Sequence, residues 1–124
     1  MIALDTSSLV AYLGGASGDD VEVVATALDH HQAILPPVVL TEILSDPKLS
    51  TEARLALLDL PLLEPAAGYW ERAGLLRSAV LAKGRKARVA DALIAQSCLD
   101  AAVPLVTRDN DFRNFAKVAG LLLL

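Results

Sequence analysis

Four acidic residues stand where a folded chain could gather them into one centre. Asp5 follows a short apolar run at the start of the chain, and Asp109 follows the predicted strand Pro104–Thr107. Ligands of open α/β sheets bind outside the carboxyl ends of the strands, and neighbouring strands lie about 5 Å apart. If these two strands are neighbours, one divalent ion can contact both carboxylates. Glu42 and Asp91 lie within apolar stretches of predicted helices and can face the same end of the sheet.

The types of ligand in this acidic set decide which metal suits it. Mg²⁺ and Mn²⁺ prefer hard oxygen ligands, whereas zinc sites draw on His and Cys. Cys98 is the only cysteine, and His30 and His31 are neighbours on a helix end, whose side chains point about 100° apart and cannot chelate one ion together. One or two hard ions could instead hold the attacking water and the leaving oxygen of a phosphodiester. Because metal-free acids repel one another, metal is expected to stabilise the fold.

Composition limits the class of protein that carries this centre. The chain has 124 residues, of which 54% are hydrophobic and 21% are charged. This length predicts one domain over residues 1–124, and the hydrophobic residues exceed what its core needs. The surplus fits either a generous core or a self-association face. Fifteen acids against eleven bases give a net charge of -4, which argues against a broad basic nucleic-acid surface but allows an acidic pocket with a basic rim.

The same composition also indicates a compartment. A single cysteine excludes an internal disulfide framework, as is usual in a reducing cytoplasm. There is no basic leader followed by a long apolar stretch, and no apolar run approaches the roughly 20 residues that span a bilayer. We therefore expect a cytoplasmic protein without a membrane segment.

Short apolar runs alternate with helical patterns along the chain. The predicted strands are Met1–Leu4, Ala33–Leu35, Leu62–Leu63, Pro104–Thr107 and Leu121–Leu124. The predicted helices are Leu9–Leu13, the segment from Asp19 to Asp29, Val38–Leu44, Glu52–Leu58, Tyr69–Leu81, Val89–Ala102 and Phe112–Lys117. The polar residues before Leu9, with Ser7 and Ser8 among them, are expected to cap the first helix. This alternation predicts a mostly parallel central sheet covered on both faces, a three-layer α/β/α sandwich.

Four segments together resemble the successive motifs of PIN-domain nucleases, in particular the VapC toxins of bacterial and archaeal toxin–antitoxin pairs. The segments are Asp5-Thr6-Ser7, Leu40-Thr41-Glu42, Ala90–Ala95 and Leu105–Phe112. They follow the family's order over essentially the whole chain. The resemblance implies a PIN-like fold and a magnesium- or manganese-dependent endoribonuclease. It also implies a homodimer and a VapB-like antitoxin that inhibits it.

The resemblance assigns roles to individual residues as well. The catalytic acids that it implies are Asp5, Glu42, Asp91 and Asp109. The metal ligands among them are Asp5, Asp91 and Asp109. Either Asp91 or Asp109 would accept the proton of the attacking water.

Two hydroxyls and one further acid complete the implied site. Ser7 would place its hydroxyl near Asp5, and Thr107 would place its hydroxyl near Asp109. Relatives often carry asparagine at one of the two positions where this chain has Asp109 and Asp111. Asp109 is preferred as the fourth acid because it follows Thr107 by two residues, and Asp111 then acts on the metal through water.

Each acid also has a purely structural interpretation. Asp5 could only cap a helix, and Asp91 could be an ordinary helix residue that faces solvent. Glu42 could close a capping arrangement or pair with a base. Asp109 and Asp111 could only form a turn after their strand.

Basic residues flank the acidic positions. The loop from Lys83 to Arg88 leads into the helix that carries Asp91, and its composition suits contacts to phosphate. The candidates for RNA contact are Arg85, Lys86, Arg88 and Arg108. A solvated basic turn at a helix end is the alternative.

Two other functions compete with the nuclease. A PIN-like domain without activity could use the same acids to hold a structural ion or the basic residues of a partner. An aspartyl-phosphate phosphatase could also begin with an acid after its first strand, but such enzymes carry a second Asp two residues later, where this chain has Ser7. The sequence contains neither a nucleophile-elbow motif nor a Gly-rich phosphate loop.

Overall fold

The central sheet is built from three short strands that are almost entirely apolar. In the computed structural model, which describes residues 1–124, these are β1 (Ile2–Leu4), β2 (Ala33–Ile34) and β3 (Leu105–Val106). All pairings are parallel, and the strand order is β2-β1-β3. Ala3 and Leu4 of the central strand have no exposed surface. Continuous apolar sequence is what a strand covered on both faces requires.

Seven helices connect and cover these strands. They are α1 (Thr6–Leu13), α2 (Asp19–Asp29), α3 (Pro37–Leu44), α4 (Thr51–Leu58), α5 (Tyr69–Ala82), α6 (Val89–Ala101) and α7 (Phe112–Ala119). Parallel strands need crossover connections, and helices supply them here. The predicted α/β class with a parallel central sheet is therefore confirmed. None of the helices has both the length and the apolar character needed to cross a membrane.

Helix α6 runs through the interior of the molecule. It packs against α3, α5 and α7, and most residues from Asp91 to Cys98 are buried. The Tyr69 hydroxyl of α5 donates a hydrogen bond of 2.6 Å to the Leu93 carbonyl, and Ser97 lies 3.2 Å from the same hydroxyl. A polar residue in the first turn of α6 is consequently enclosed by protein.

Two of the predicted strands are reduced to single bridges. Leu62 pairs only with Leu35, and Leu123 pairs only with Leu105. Prolines lie on both sides of the first segment, at positions 61 and 65, and a proline has no N–H to extend a ladder. The second segment lies beside β3, which has only two residues and therefore forms a single bridge with it. The predictions of full strands at Leu62–Leu63 and Leu121–Leu124 were wrong in this respect.

Candidate metal centre

Asp5 lies at the junction of β1 and α1. Its backbone is extended, and its carboxylate accepts hydrogen bonds from the Ser7 N–H at 3.4 Å and the Ser7 hydroxyl at 2.6 Å. Asp5 is thus the N-cap of a helix that begins at Thr6. The prediction that serine side chains cap a helix beginning at Leu9 was wrong, since both serines lie inside the helix.

The hydroxyl of Thr107 joins the ends of β1 and β3. It donates to Asp5 Oδ2 at 2.7 Å and accepts from the Asp109 N–H at 3.0 Å. The Ser7 hydroxyl lies 3.2 Å from the same Thr107 oxygen. All three hydrogen bonds to the Asp5 carboxylate use Oδ2, which leaves Oδ1 available to a ligand. Because β1 and β3 are adjacent in the sheet, one hydroxyl can orient both strand-end acids.

Three carboxylates converge beside this junction. Asp91, Asp109 and Asp111 each offer one oxygen, and these oxygens lie within 4.8 Å of one another. Asp91 comes from the first turn of α6, and the other two follow β3. The turn after β3 is held by a hydrogen bond of 2.9 Å from the Asp111 N–H to Asp109 Oδ1. We call these three residues the acidic cluster.

Asp91 carries the clearest electrostatic signature of the cluster. Its residue surface is 8% exposed, and its Oδ2 atom is buried without any hydrogen-bond partner. Burial, together with the negative charges of Asp109 and Asp5, raises the pKa of Asp91 to about 6, while the charge of Arg88 opposes this rise. A buried carboxylate oxygen that the protein leaves unsatisfied is costly. A divalent cation would satisfy it.

The donor set fits a hard divalent ion. Every candidate ligand in the acidic cluster is a carboxylate oxygen, and no His or Cys belongs to it. Mg²⁺ and Mn²⁺ favour such donors. Asp5 stands outside the three closest carboxylates, yet its charge acts on Asp91.

Glu42 lies at the edge of this arrangement. It is exposed on α3 and accepts a hydrogen bond of 2.8 Å from the Thr6 hydroxyl. Thr6 follows Asp5 directly, so Glu42 is fixed to the start of α1. It does not belong to the acidic cluster.

The predicted basic candidates take different positions. Lys86 lies 3.2 Å from Asp111 Oδ2, and Arg85 donates to the Asn114 side chain at 3.4 Å. Arg88 is exposed at the N-cap position of α6, next to the cluster in the chain.

Arg108 is held by an acid on another element. Its guanidinium contacts the Asp20 carboxylate at 2.8 and 3.0 Å, and this contact lowers the pKa of Asp20 to about 2. Ser8 donates to the same carboxylate at 2.8 Å. Sequence reasoning missed Asp20, because its partner lies 88 positions away and no local pattern points to it.

The PIN domain family model matches residues 2–118. No curated protein matches the chain by sequence. Among solved structures, a chain of VapBC2 from Rickettsia felis, crystallised with a DNA fragment from its promoter, shares 22% identity at a TM-score of 0.71; the match covers 100% of this chain and 98% of that one.

Two further structures share the same fold. FitAcB from Neisseria gonorrhoeae gives 18% identity and a TM-score of 0.71, covering 100% of this chain and 96% of that one. VapBC-5 from Mycobacterium tuberculosis, a member of the VapBC family of toxin–antitoxin systems, gives 24% identity and a TM-score of 0.65. The match covers 98% of this chain and 95% of that one. Since the family model spans nearly all of the sequence, the chain belongs to the PIN-domain family.

Proposed function

We propose that this chain is a VapC-type toxin that acts as a magnesium- or manganese-dependent endoribonuclease. The observation that carries the proposal is the buried Asp91 carboxylate, whose Oδ2 atom has no partner in the protein. The same carboxylate belongs to a cluster, with Asp109 and Asp111, that contains only oxygen ligands. Membership of the PIN-domain family, whose members are generally nucleases, supports the same activity.

The residues of the centre divide into ligands and supports. Asp91 and Asp109 would hold the ion, with Asp5 through its available Oδ1 atom and Asp111 as a closer acid than the sequence suggested. A bound divalent ion would supply Lewis-acid activation of the phosphodiester and of water. Thr107 keeps the carboxylate of Asp5 oriented toward the β3 end of the sheet.

The remaining chemistry falls to the protein's charges. The Ser7 and Thr107 hydroxyls are occupied by their hydrogen bonds around Asp5 Oδ2, so water is the expected attacking group. Asp91 or Asp109 would accept its proton, and the pKa of Asp91, raised to about 6, suits that residue to the role of general base. Lys86 and Arg88 stand on the cluster side of the basic loop and could contact the phosphate backbone of RNA.

We propose partners on the same basis. The similar structures from Rickettsia felis and Mycobacterium tuberculosis are VapBC structures, which supports a VapB-like antitoxin for this chain. An acidic pocket on a chain of net charge -4 suits a basic side chain from such a protein. A homodimer in the cytoplasm completes the proposal. Co-purification with a small protein encoded beside this chain would support the antitoxin, and harmless overexpression without any partner would contradict a toxin.

Cleavage of labelled RNA tests the activity. A panel of RNAs and matched DNAs is incubated in Mn²⁺ or Mg²⁺ and in EDTA, with wild type, Asp5→Ala and Asp91→Asn. The exposed Glu64→Gln, which removes one negative charge far from the cluster in the chain, serves as control. We expect metal-dependent RNA cleavage in wild type and control, reduced at least about 100-fold in both site variants.

The result also separates the alternatives. Full metal-dependent cleavage by Asp91→Asn would show that the assignment of the centre is wrong. Binding of metal without cleavage of any nucleic acid would favour an inactive binding domain. Cleavage of DNA in preference to RNA would retain the nuclease and remove the toxin-type substrate.

A further inference from the structure

A cation from the chain itself already contacts the acidic cluster. The ammonium of Lys86 lies 3.2 Å from Asp111 Oδ2. Asp111 occupies the N-cap position of α7, yet its side chain makes no capping hydrogen bond. Its carboxylate is therefore directed to Lys86 and the cluster, and not to the helix that it precedes.

The backbone of Lys86 is anchored while its side chain is not. Asn114 of α7 donates a hydrogen bond of 3.0 Å to the Lys86 carbonyl, and it accepts one of 3.4 Å from Arg85. The Lys86 side chain is 56% exposed. A lysine stem has four flexible carbons, so the ammonium can leave the carboxylate without any movement of the backbone.

The nearby guanidinium groups form no ion pair with the acidic cluster, although the charge of Arg88 also acts on Asp91. Arg108 is fixed by two contacts to Asp20. Arg85 contacts Asn114 and not an acid. Lys86 is the only base that forms an ion pair with a member of the acidic cluster.

We infer that Lys86 is an internal counter-ion of the acidic cluster, which competes with the divalent metal for Asp111 and is released when the metal binds. This inference rests on the proposed metal centre. The Asp111 carboxylate cannot give its full charge to both cations, and the ammonium repels a divalent ion bound beside it. Once released, the ammonium remains tethered at the rim, where it is available to a phosphate.

The size of the competition follows from the charges. Opposing a divalent ion with one positive charge about 4 to 6 Å away, in a solvent-exposed setting, weakens metal binding by roughly tenfold. An exposed ion pair contributes little to folding. Removing Lys86 should consequently leave the metal-free protein almost equally stable but increase its affinity for metal. Removal of an ordinary surface ion pair would not change the affinity for metal.

Calorimetric titration with Mn²⁺ tests the inference. Wild type is compared with Lys86→Met and with Lys83→Met, which removes the same charge from an exposed position in the same loop. We expect Lys86→Met to bind Mn²⁺ about tenfold more tightly than wild type, and Lys83→Met to bind within about twofold of it. In an Asp111→Asn background, the gain from Lys86→Met should disappear, because the contested carboxylate is gone.

The outcomes separate this inference from the function on which it rests. If wild type binds Mn²⁺ and Lys86→Met binds with equal or lower affinity, the inference is overturned while the metal centre stands. An equal gain in Lys83→Met would assign the effect to general charge and would also overturn it. If neither wild type nor any variant binds Mn²⁺, both the metal centre and the inference fail.

Discussion

A buried carboxylate without a partner destabilises the protein that contains it. Asp91 is in this position, since its Oδ2 atom meets no donor and acids surround it. With its pKa raised to about 6, the metal-free folded state holds a proton that the unfolded chain releases near pH 4. The free energy of unfolding must then fall as the pH rises through this interval, because the folded state binds more protons than the unfolded state.

Asp91→Asn should remove this dependence. In EDTA, we expect wild type to lose on the order of 2 kcal/mol between pH 4 and pH 6 relative to the variant, with no further change above that interval. Urea unfolding at several pH values measures the free energy of unfolding of both proteins. The contributions of the other acids cancel in the difference between wild type and the variant. A variant that is less stable than wild type in EDTA at pH 7 would contradict this account of Asp91.

Thr107 allows a test of orientation without a change of charge. Thr107→Val keeps the shape but removes both the donor to Asp5 and the acceptor of the Asp109 N–H. Loss of such a support typically weakens metal binding or activity about 10- to 100-fold. Thr107→Ser retains the hydroxyl and should stay near wild type. Equal Mn²⁺ affinity and cleavage in the valine and serine variants would show that neither metal binding nor activity depends on the orientation of Asp5 and Asp109 by this hydroxyl.

Asp5 and Asp109 indicated the candidate site from sequence because each follows a predicted strand, and β1 and β3 are indeed adjacent and parallel. The sequence did not show how the acids rank as ligands. Whether Asp111 also turns inward depends on the hydrogen bond from its N–H to Asp109 Oδ1, a feature of the turn that spacing does not reveal. Glu42 was predicted among the catalytic acids, and its contact with Thr6 depends on how α3 packs against α1.

At the scale of elements, one ion pair links the site to α2. Arg108 follows β3, and its guanidinium contacts both Asp20 in the first turn of α2 and the Ser17 carbonyl before it. Gly18 permits this close approach, since a Cβ there would lie 2.7 Å from Asp20 Oδ1 and its φ is 145°. The pair therefore fixes the start of α2 relative to the end of the sheet that carries the site.

The acid stability of the protein should report on this link. Arg108 lowers the pKa of Asp20 to about 2, so the stabilisation is present above about pH 4 and is lost as the pH falls toward 2. Asp20→Asn should lower the melting temperature by a few degrees at neutral pH, and its difference from wild type should vanish near pH 2.

A neighbouring acid provides the control for this prediction. Asp19 is exposed at the same helix N-terminus and has no ion-pair partner, so Asp19→Asn loses only the interaction with the helix dipole. Thermal unfolding of both variants from pH 2 to pH 7 separates the two effects. Equal losses in the two variants would mean that the Arg108 contact adds nothing to stability.

Periodicity predicted the order of the elements better than their ends. The alternation of apolar runs and helical patterns was sufficient for an α/β fold with parallel strands. The start of α1 was misplaced because Asp5, Ser7 and Ser8 can all cap a helix, and the hydroxyl of Thr107 that also holds the Asp5 carboxylate lies 102 positions away in the chain. The length of a strand likewise depends on how many residues its neighbour offers, which a local pattern does not contain.

At the scale of the molecule, the hydrophobic surplus is shared between core and surface. A cluster of 23 buried residues forms the core around the sheet. Trp70 and Leu75 of α5 are nevertheless 65% and 71% exposed, and Val89 at the start of α6 is 58% exposed. Composition alone left open whether the surplus fills the core or faces outward, because it contains no information on which helix faces lack a covering layer.

Three acids converge at one end of the sheet, and this arrangement predicts that the stability of the whole fold responds to metal. Like charges converge at one end of the sheet, so a bound divalent ion should stabilise the folded state alone. At a Mn²⁺ concentration about 100 times the dissociation constant, linkage gives about 2.7 kcal/mol, or roughly 10 °C in melting temperature. Thermal unfolding in EDTA and in Mn²⁺ measures this shift.

Comparison of two variants shows whether the shift comes from the acidic cluster. Asp91→Asn should lose most of the rise in melting temperature, because it removes the one buried carboxylate of the cluster. Glu64→Gln, an exposed acid outside the cluster, should keep the rise. A rise that both variants retain would mean that Mn²⁺ acts on scattered surface acids, whose weak and independent binding depends on no single carboxylate. Loss in Asp91→Asn alone would place the ion at the ends of β1 and β3, where the nuclease proposal requires it.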